Sequence, residues 1–165
     1  MHHHTAIIAL GSNLGDKHRN LQQARHCLRG AMRGLIASPI YETEPWGITE
    51  QPAFYNQVVM GQTSLKPQAL LTFLHDIEQR LGRQHTVRFG PRPIDLDIIF
   101  YDDLSLTTYR LTIPHPRLVE RAFVLVPLAD IAPHWLHPRL GCSVRQLLSR
   151  VDSSSVQRLR DEQIE

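Results

Sequence analysis

Asp95 and Asp97 stand one leucine apart inside the most strand-like segment of the chain, Ile94 to Tyr101. Side chains alternate across a strand, so the spacing predicts both acids on one face and Ile94, Leu96, Ile98 and Phe100 on the other. Neighbouring carboxylates repel, and the pair must take up a proton or share a cation. Oxygen-only ligands favour hard ions, with magnesium the choice where phosphate oxygens complete the shell. Two such ions about 3.5 to 4 Å apart can clamp the attacking and bridging oxygens of a displacement. An edge strand carrying acids against aggregation would look the same, so the neighbours must decide. Between Gln79 and Ile94 lie Arg80, Arg83, Arg88 and Arg92 with no acid, and Arg110, His115, Arg117 and Arg121 follow the strand. A cationic loop beside an acidic pair suits a polyanion that arrives with a metal, and guanidinium forks match phosphate oxygens. Such a transfer needs positioning and charge stabilisation more than covalent chemistry from the protein.

A second constellation runs from Tyr41 through Glu42, Thr43, Glu44, Pro45, Trp46 and Gly47, then from Gln51 to Asn56. Trp46, Phe54 and Tyr55 offer stacking surfaces, and Thr43 and Asn56 offer short polar groups. Together they suit a flat heterocycle with donors and acceptors on its edge. Taken singly, each aromatic is as well explained by core packing. Gly11-Ser12-Asn13-Leu14-Gly15 lacks the spacing and lysine of a phosphate loop and reads as a tight turn and helix start. His75 and Glu78 sit three apart on a helix without a suitably spaced third ligand, which rejects a zinc site. No GxSxG is present for serine catalysis.

These residues need elements to hold them. Thr5 to Leu10 reads as a buried strand. Leu21, Ala24, Leu28 and Met32 fall on one helical stripe after Asp16. Leu35 to Tyr41 and Phe54 to Gln62 read as strands, with Glu42 to Ala53 a loop broken by Pro45, Gly47 and Pro52. Pro67 is suited to a first helical position, and Leu70, Leu71, Leu74, Ile77 and Leu81 mark a helix that Gly82 stops. Arg83 to Pro93 is a second loop. Leu104 to Ile113 is extended, Arg117 to Ile131 reads as a helix giving way to turns around Pro127, and Ser143 to Val151 as a short helix. From Asp152 the tail is polar and expected to be loose. Strand, helix, strand, strand, helix, strand is the ferredoxin-like α+β plan, expected to place helices on one face of an antiparallel sheet and long loops on the other.

A chain of 165 residues, 42% apolar and 21% charged, fits one ordinary core, a single domain over 1–165. Residues 1–4 are set aside as a tag or disordered start, and 152–165 as a tail. A net charge of +2 is too mild for a dedicated nucleic-acid binder. No apolar run reaches the roughly 20 residues of a membrane helix, and Ala6 to Leu10 is too short for a signal h-region. Cys27 and Cys142 form no CxxC, so a reduced, cytoplasmic protein is expected.

Read together, the segments resemble the 6-hydroxymethyl-7,8-dihydropterin pyrophosphokinase family of folate biosynthesis. The resemblance rests on Ala9-Leu10-Gly11-Ser12-Asn13-Leu14-Gly15, Tyr41 to Gly47, Gln51-Pro52 with Phe54 and Asn56, Gly90-Pro91-Arg92 through Ile98, and Pro114-His115-Pro116-Arg117 with Arg121 and Phe123. It implies transfer of diphosphate from ATP to the pterin hydroxymethyl oxygen with release of AMP; a monomer that binds neither nucleic acid nor membrane is expected. It also implies site residues. Asp95 and Asp97 would hold two Mg2+ ions, with Arg83 and Arg92 meeting the phosphates. Glu78, Ile98, Arg110, Thr112, His115 and Arg121 would line the ATP site. Thr43, Glu44, Pro45, Trp46, Phe54, Asn56, Phe89 and Phe123 would enclose the pterin. This sequence departs from the family pattern at Phe89, where tryptophan is usual, at His85, where arginine is common, and at Pro93, where threonine is common. A ferredoxin-like nucleotide sensor without turnover would share the ATP features, and an RNA-recognition domain the sheet plan. The ring-rich strands of the second are missing here, with Val58, Val59 and Met60 in their place.

Overall fold

A computed structural model describes residues 3–44, 50–82 and 92–160. The elements run β1 (His4–Ser12), α1 (Lys17–Leu28), β2 (Arg33–Ala37), β3 (Tyr41–Thr43), β4 (Phe54–Thr63), α2 (Pro67–Arg80), β5 (Asp95–Tyr101), β6 (Leu106–Thr107) and β7 (Thr112–Ile113). A 3-10 turn (Leu118–Glu120), α3 (Ala122–Ile131), α4 (Val144–Leu148) and β8 (Gln157–Arg158) complete them. The main sheet has the order β5-β1-β4-β3-β8, with β2 also on β4. All of its pairings are antiparallel. This is the expected α+β ferredoxin-like plan. His4 is already the first strand residue, so it belongs to the fold rather than to a loose start.

Asp16 caps α1 by accepting the Arg19 N–H at 3.1 Å, and Pro67 opens α2, where its missing N–H has no partner to lose. Both helices lay their apolar stripe on the sheet face that carries Ala6, Ile8, Leu10, Leu96 and Ile98. The expectation that helices cover only one face needs extending. Ile7, Val58, Ile99 and Phe100 point to the opposite face and are closed over by α3 and α4 through Leu125, Leu128, Val144 and Leu147. β1 is apolar on both faces, so two layers must cover it. α3 runs through Pro127 instead of turning there. Val124, Leu125, Pro127 and Leu128 are all buried, and that burial outweighs the lost N–H donor.

Phe100 does not share a face with Leu96 and Ile98. Ile7 pairs Phe100 while Ile8 pairs Ile98, so Ile99 is an extra residue in β5. A bulge of this kind reverses the facing of everything beyond it, and Phe100 moves to the α3 side against Trp135, ring centroids 5.8 Å apart. The described part of the tail, 152–160, is not loose either. β8 adds to β3, the Leu159 N–H reaches the Ile40 carbonyl at 3.0 Å, and Leu159 is buried.

Candidate active site

Register brings the two constellations onto one surface. Asp95 pairs Gly11, Gly11 pairs Asn56, and Asn56 pairs Tyr41, a straight row across β5, β1, β4 and β3. Asp97 pairs Ala9 one step along. Both acids therefore project from the face that α3 only partly covers. Gly11 keeps the middle of the row low: a Cβ there would meet Asn56 Oδ1 at 3.3 Å and Phe54 at 3.7 Å. The result is a trough with acids on one bank and an amide on the other, about 10 Å apart at two inter-strand steps.

The trough opens into a cavity of about 1010 Å³. Its walls include Asp95, Asp97, Arg92, Arg121, Thr43, Glu44, Phe54, Asn56 and Phe123. Glu78, Ile98, Arg110, Thr112 and His115 line it as well. The cavity thus gathers every described residue expected at the ATP, pterin or metal sites, whereas Tyr55 and Arg80 do not line it. Arg83, His85, Arg88 and Phe89, and Pro45, Trp46 and Gly47, lie outside the described residues. The tail contributes Asp152, Ser155 and Val156 to the wall, which the sequence gave no reason to expect.

Local chemistry divides the cavity. On the acid bank, Arg92 Nη1 donates to both Asp95 oxygens, at 3.1 and 3.2 Å. Arg121 stands at the head of α3, with its guanidinium 5.6 Å from the Phe123 ring centroid. Burial pulls the Arg121 pKa down, and Asp97 opposes that pull, so this cation and the acids share one field. His115 follows β7, whose hairpin with β6 carries Arg110 in its turn. Burial, then the charges of Arg121 and Arg117, hold the His115 pKa at about 4. The ring is neutral near pH 7. Its Nδ1 accepts the Arg117 N–H at 3.2 Å, which leaves Nε2 as the N–H donor.

On the other bank, Asn56 Nδ2 donates to Thr43 Oγ1 at 2.7 Å, and both residues are buried. That bond orients the amide, with Oδ1 toward Gly11 as the acceptor on the trough side. Glu78 is buried, and its Oε2 accepts the Leu96 N–H at 2.9 Å, satisfying the outer edge of β5. Behind the site, Tyr41 donates its hydroxyl to Asp130, tying β3 to α3.

The donor set fits magnesium. Two carboxylates from one strand face, one of them exposed, supply hard oxygens and leave room for phosphate and water ligands. Among the described residues no group of three or more His, Cys, Asp or Glu could hold a metal, which excludes a closed zinc-type cage there.

Comparison with known proteins agrees with this geometry. Residues 7–133 match the family model described as 7,8-dihydro-6-hydroxymethylpterin-pyrophosphokinase (HPPK). The chain is 43% identical over 155 residues to a Synechocystis protein named 2-amino-4-hydroxy-6-hydroxymethyldihydropteridine pyrophosphokinase, covering 93% of this chain and 79% of that protein. It is 46% identical over 129 residues to the mitochondrial folate synthesis bifunctional protein of Arabidopsis thaliana, covering 78% of this chain but only 23% of that one. A crystal structure of Plasmodium falciparum HPPK-DHPS, a triple mutant with SDX-DHP, superposes with a TM-score of 0.76 at 18% identity, over 90% of this chain and 44% of that one. That last likeness concerns the fold alone.

Proposed function

The chain belongs to the 7,8-dihydro-6-hydroxymethylpterin-pyrophosphokinase family, and from that premise we propose that it transfers diphosphate from ATP to the hydroxymethyl group of 6-hydroxymethyl-7,8-dihydropterin, releasing AMP, as a step of folate synthesis. The observation that carries this reading is the row Asp95–Gly11–Asn56, which sets hard anionic ligands and a ring-reading amide on opposite banks of one trough. The span of about 10 Å takes a flat bicyclic ring with its exocyclic carbinol directed at the acids.

On the pterin bank, Asn56 Oδ1 accepts from the ring's N–H edge while Thr43 fixes the amide. Phe54 and Phe123 border the ring with apolar surface, with Glu44 at the rim. On the phosphate bank, Arg92 and Arg121 face the nucleotide oxygens, and neutral His115 donates through Nε2. Arg110 and Thr112 border the same side, and Glu78 and Ile98 form a buried floor there. The pterin hydroxyl oxygen forms a bond to the β-phosphorus of ATP as the bond between that phosphorus and the α,β-bridging oxygen breaks; AMP departs with the bridging oxygen, and the hydroxyl proton passes to water. Asp95 and Asp97 would hold two Mg2+ ions, which supply charge neutralisation to the triphosphate. The protein's share is orientation and a preset cationic field. We take the whole of 1–165 as one such domain, a monomer. The free thiols of Cys27 and Cys142 support a reducing, cytoplasmic setting. Among the described residues no helix is long and apolar enough to cross a membrane.

The test is AMP release from ATP. It should require both the pterin alcohol and Mg2+, and Asp97→Ala should lower it at least about a thousandfold. AMP release independent of the pterin, or an Asp97→Ala enzyme near the normal rate, rejects the assignment.

A further inference from the structure

Asn13 touches the ends of both long loops. It lies just after β1 and is fully buried. Its Oδ1 accepts the Arg92 N–H at 2.7 Å, and its own N–H donates to the Arg92 carbonyl at 3.0 Å. Its Nδ2 donates to Gln51 Oε1 at 2.6 Å and to the Pro52 carbonyl at 3.3 Å. Arg92 is the residue whose guanidinium holds Asp95. Gln51 and Pro52 lead directly into Phe54 and Asn56 on the opposite bank. One carboxamide thus gives its acceptor to the phosphate side and its donors to the ring side.

We infer that Asn13 is a positioning residue that couples the two substrate sites, so that occupancy of the pterin bank is felt at Arg92 and Asp95, and the reverse. This rests on the substrate assignment above. The physical basis is the rigidity of the amide. Its oxygen and nitrogen are fixed in one plane, so a shift of the Gln51–Pro52 segment that carries Nδ2 also carries Oδ1 and the Arg92 peptide. Burial keeps water from substituting for either partner. Coupling between two ligands is reciprocal in free energy, and a chain of contacts counts as a path only when that coupling is measured.

The experiment is isothermal titration of the full chain with 6-hydroxymethylpterin and with Mg2+ plus α,β-methylene-ATP, each alone and each in the presence of the other. For the wild type, pterin affinity should rise by about tenfold or more when nucleotide is bound. In Asn13→Ala that factor should fall to near one, while each ligand's separate affinity changes less than about threefold. Gln51→Leu leaves the bonds between Asn13 and Arg92 in place and should lose the factor in the same way, so it decides the matter if Asn13→Ala does not fold. A wild type with no coupling overturns the inference, as does either folded variant with the full factor. So does a variant whose two affinities fall together at constant ratio, because that is the mark of a merely structural role. A wild type that binds neither ligand defeats the substrate assignment itself. A wild type that binds both while a variant still couples defeats only the role of Asn13.

Discussion

Lowering the pH tests the electrostatics of the phosphate bank without any ligand. His115 is held by its backbone N–H on the Ile99 carbonyl at 3.1 Å and by Nδ1 accepting from Arg117. Burial is the main cause of its depressed pKa of about 4, against 6.5 for a free imidazole, with Arg121 and Arg117 adding to it. The folded state therefore favours the neutral ring. Its contribution is complete above pH 6.5 and is lost as pH falls from 6.5 toward 4, because the unfolded chain takes the proton first. A gap of about 2.5 pH units at 1.36 kcal/mol each sets a ceiling of about 3 kcal/mol. The ring is partly exposed, and solvent screening lowers that to roughly 2 kcal/mol. Urea unfolding of the wild type and of His115→Asn, from pH 7 to pH 4, measures it. Asparagine retains an oxygen acceptor for the Arg117 N–H but has no proton to gain. The difference between the two curves is the quantity that counts, because burial lowers the pKa of His137 as well. The wild type should lose roughly 2 kcal/mol more than the variant over that interval. Parallel curves would falsify the account of His115 as a buried neutral ring in a cationic field.

Gly11→Ala places a methyl 3.3 Å from Asn56 Oδ1; KM for the pterin alcohol should rise about tenfold, equivalent to about 1.4 kcal/mol, with KM for ATP unchanged, in steady-state AMP-release kinetics. Glu78→Leu strips the acceptor from the Leu96 N–H. Urea unfolding should show a loss of about 1–3 kcal/mol, most of it restored in Glu78→Gln. Leu159→Ala should lower stability by about 2 kcal/mol in the same assay, since Leu159 is buried where β8 joins the sheet. An unchanged value would mean that the tail packs without consequence.

What the sequence made legible follows from the range of the interactions involved. β1, α1, β4 and α2 announce themselves because period-two and period-3.6 patterns are local. The acid pair is legible for the same reason: Asp95 and Asp97 share a face by spacing alone, and Arg92 is three residues from Asp95. The reversal at Phe100 is not legible, because a bulge belongs to the pairing of β5 with β1 and not to either strand. α3 continues through Pro127 because of what packs over it, and β8 forms in a polar tail because β3 offers an unpaired edge. The site divides along the same line. Each bank could be read as a local cluster, whereas their apposition depends on Gly11 pairing Asp95 on one side and Asn56 on the other. Asn13 is the sharpest case. Read locally it is a turn residue midway between Gly11 and Gly15, and nothing within a helical turn of it hints otherwise. Its side-chain partners are 38, 39 and 79 residues away. A small buried polar side chain at a strand end needs partners somewhere, and here they are Gln51, Pro52 and Arg92, which adjoin the two banks of the trough. The turn motif and the coupling proposed for it are then one requirement: the chain must reverse after β1 at the point where a single amide can reach both banks.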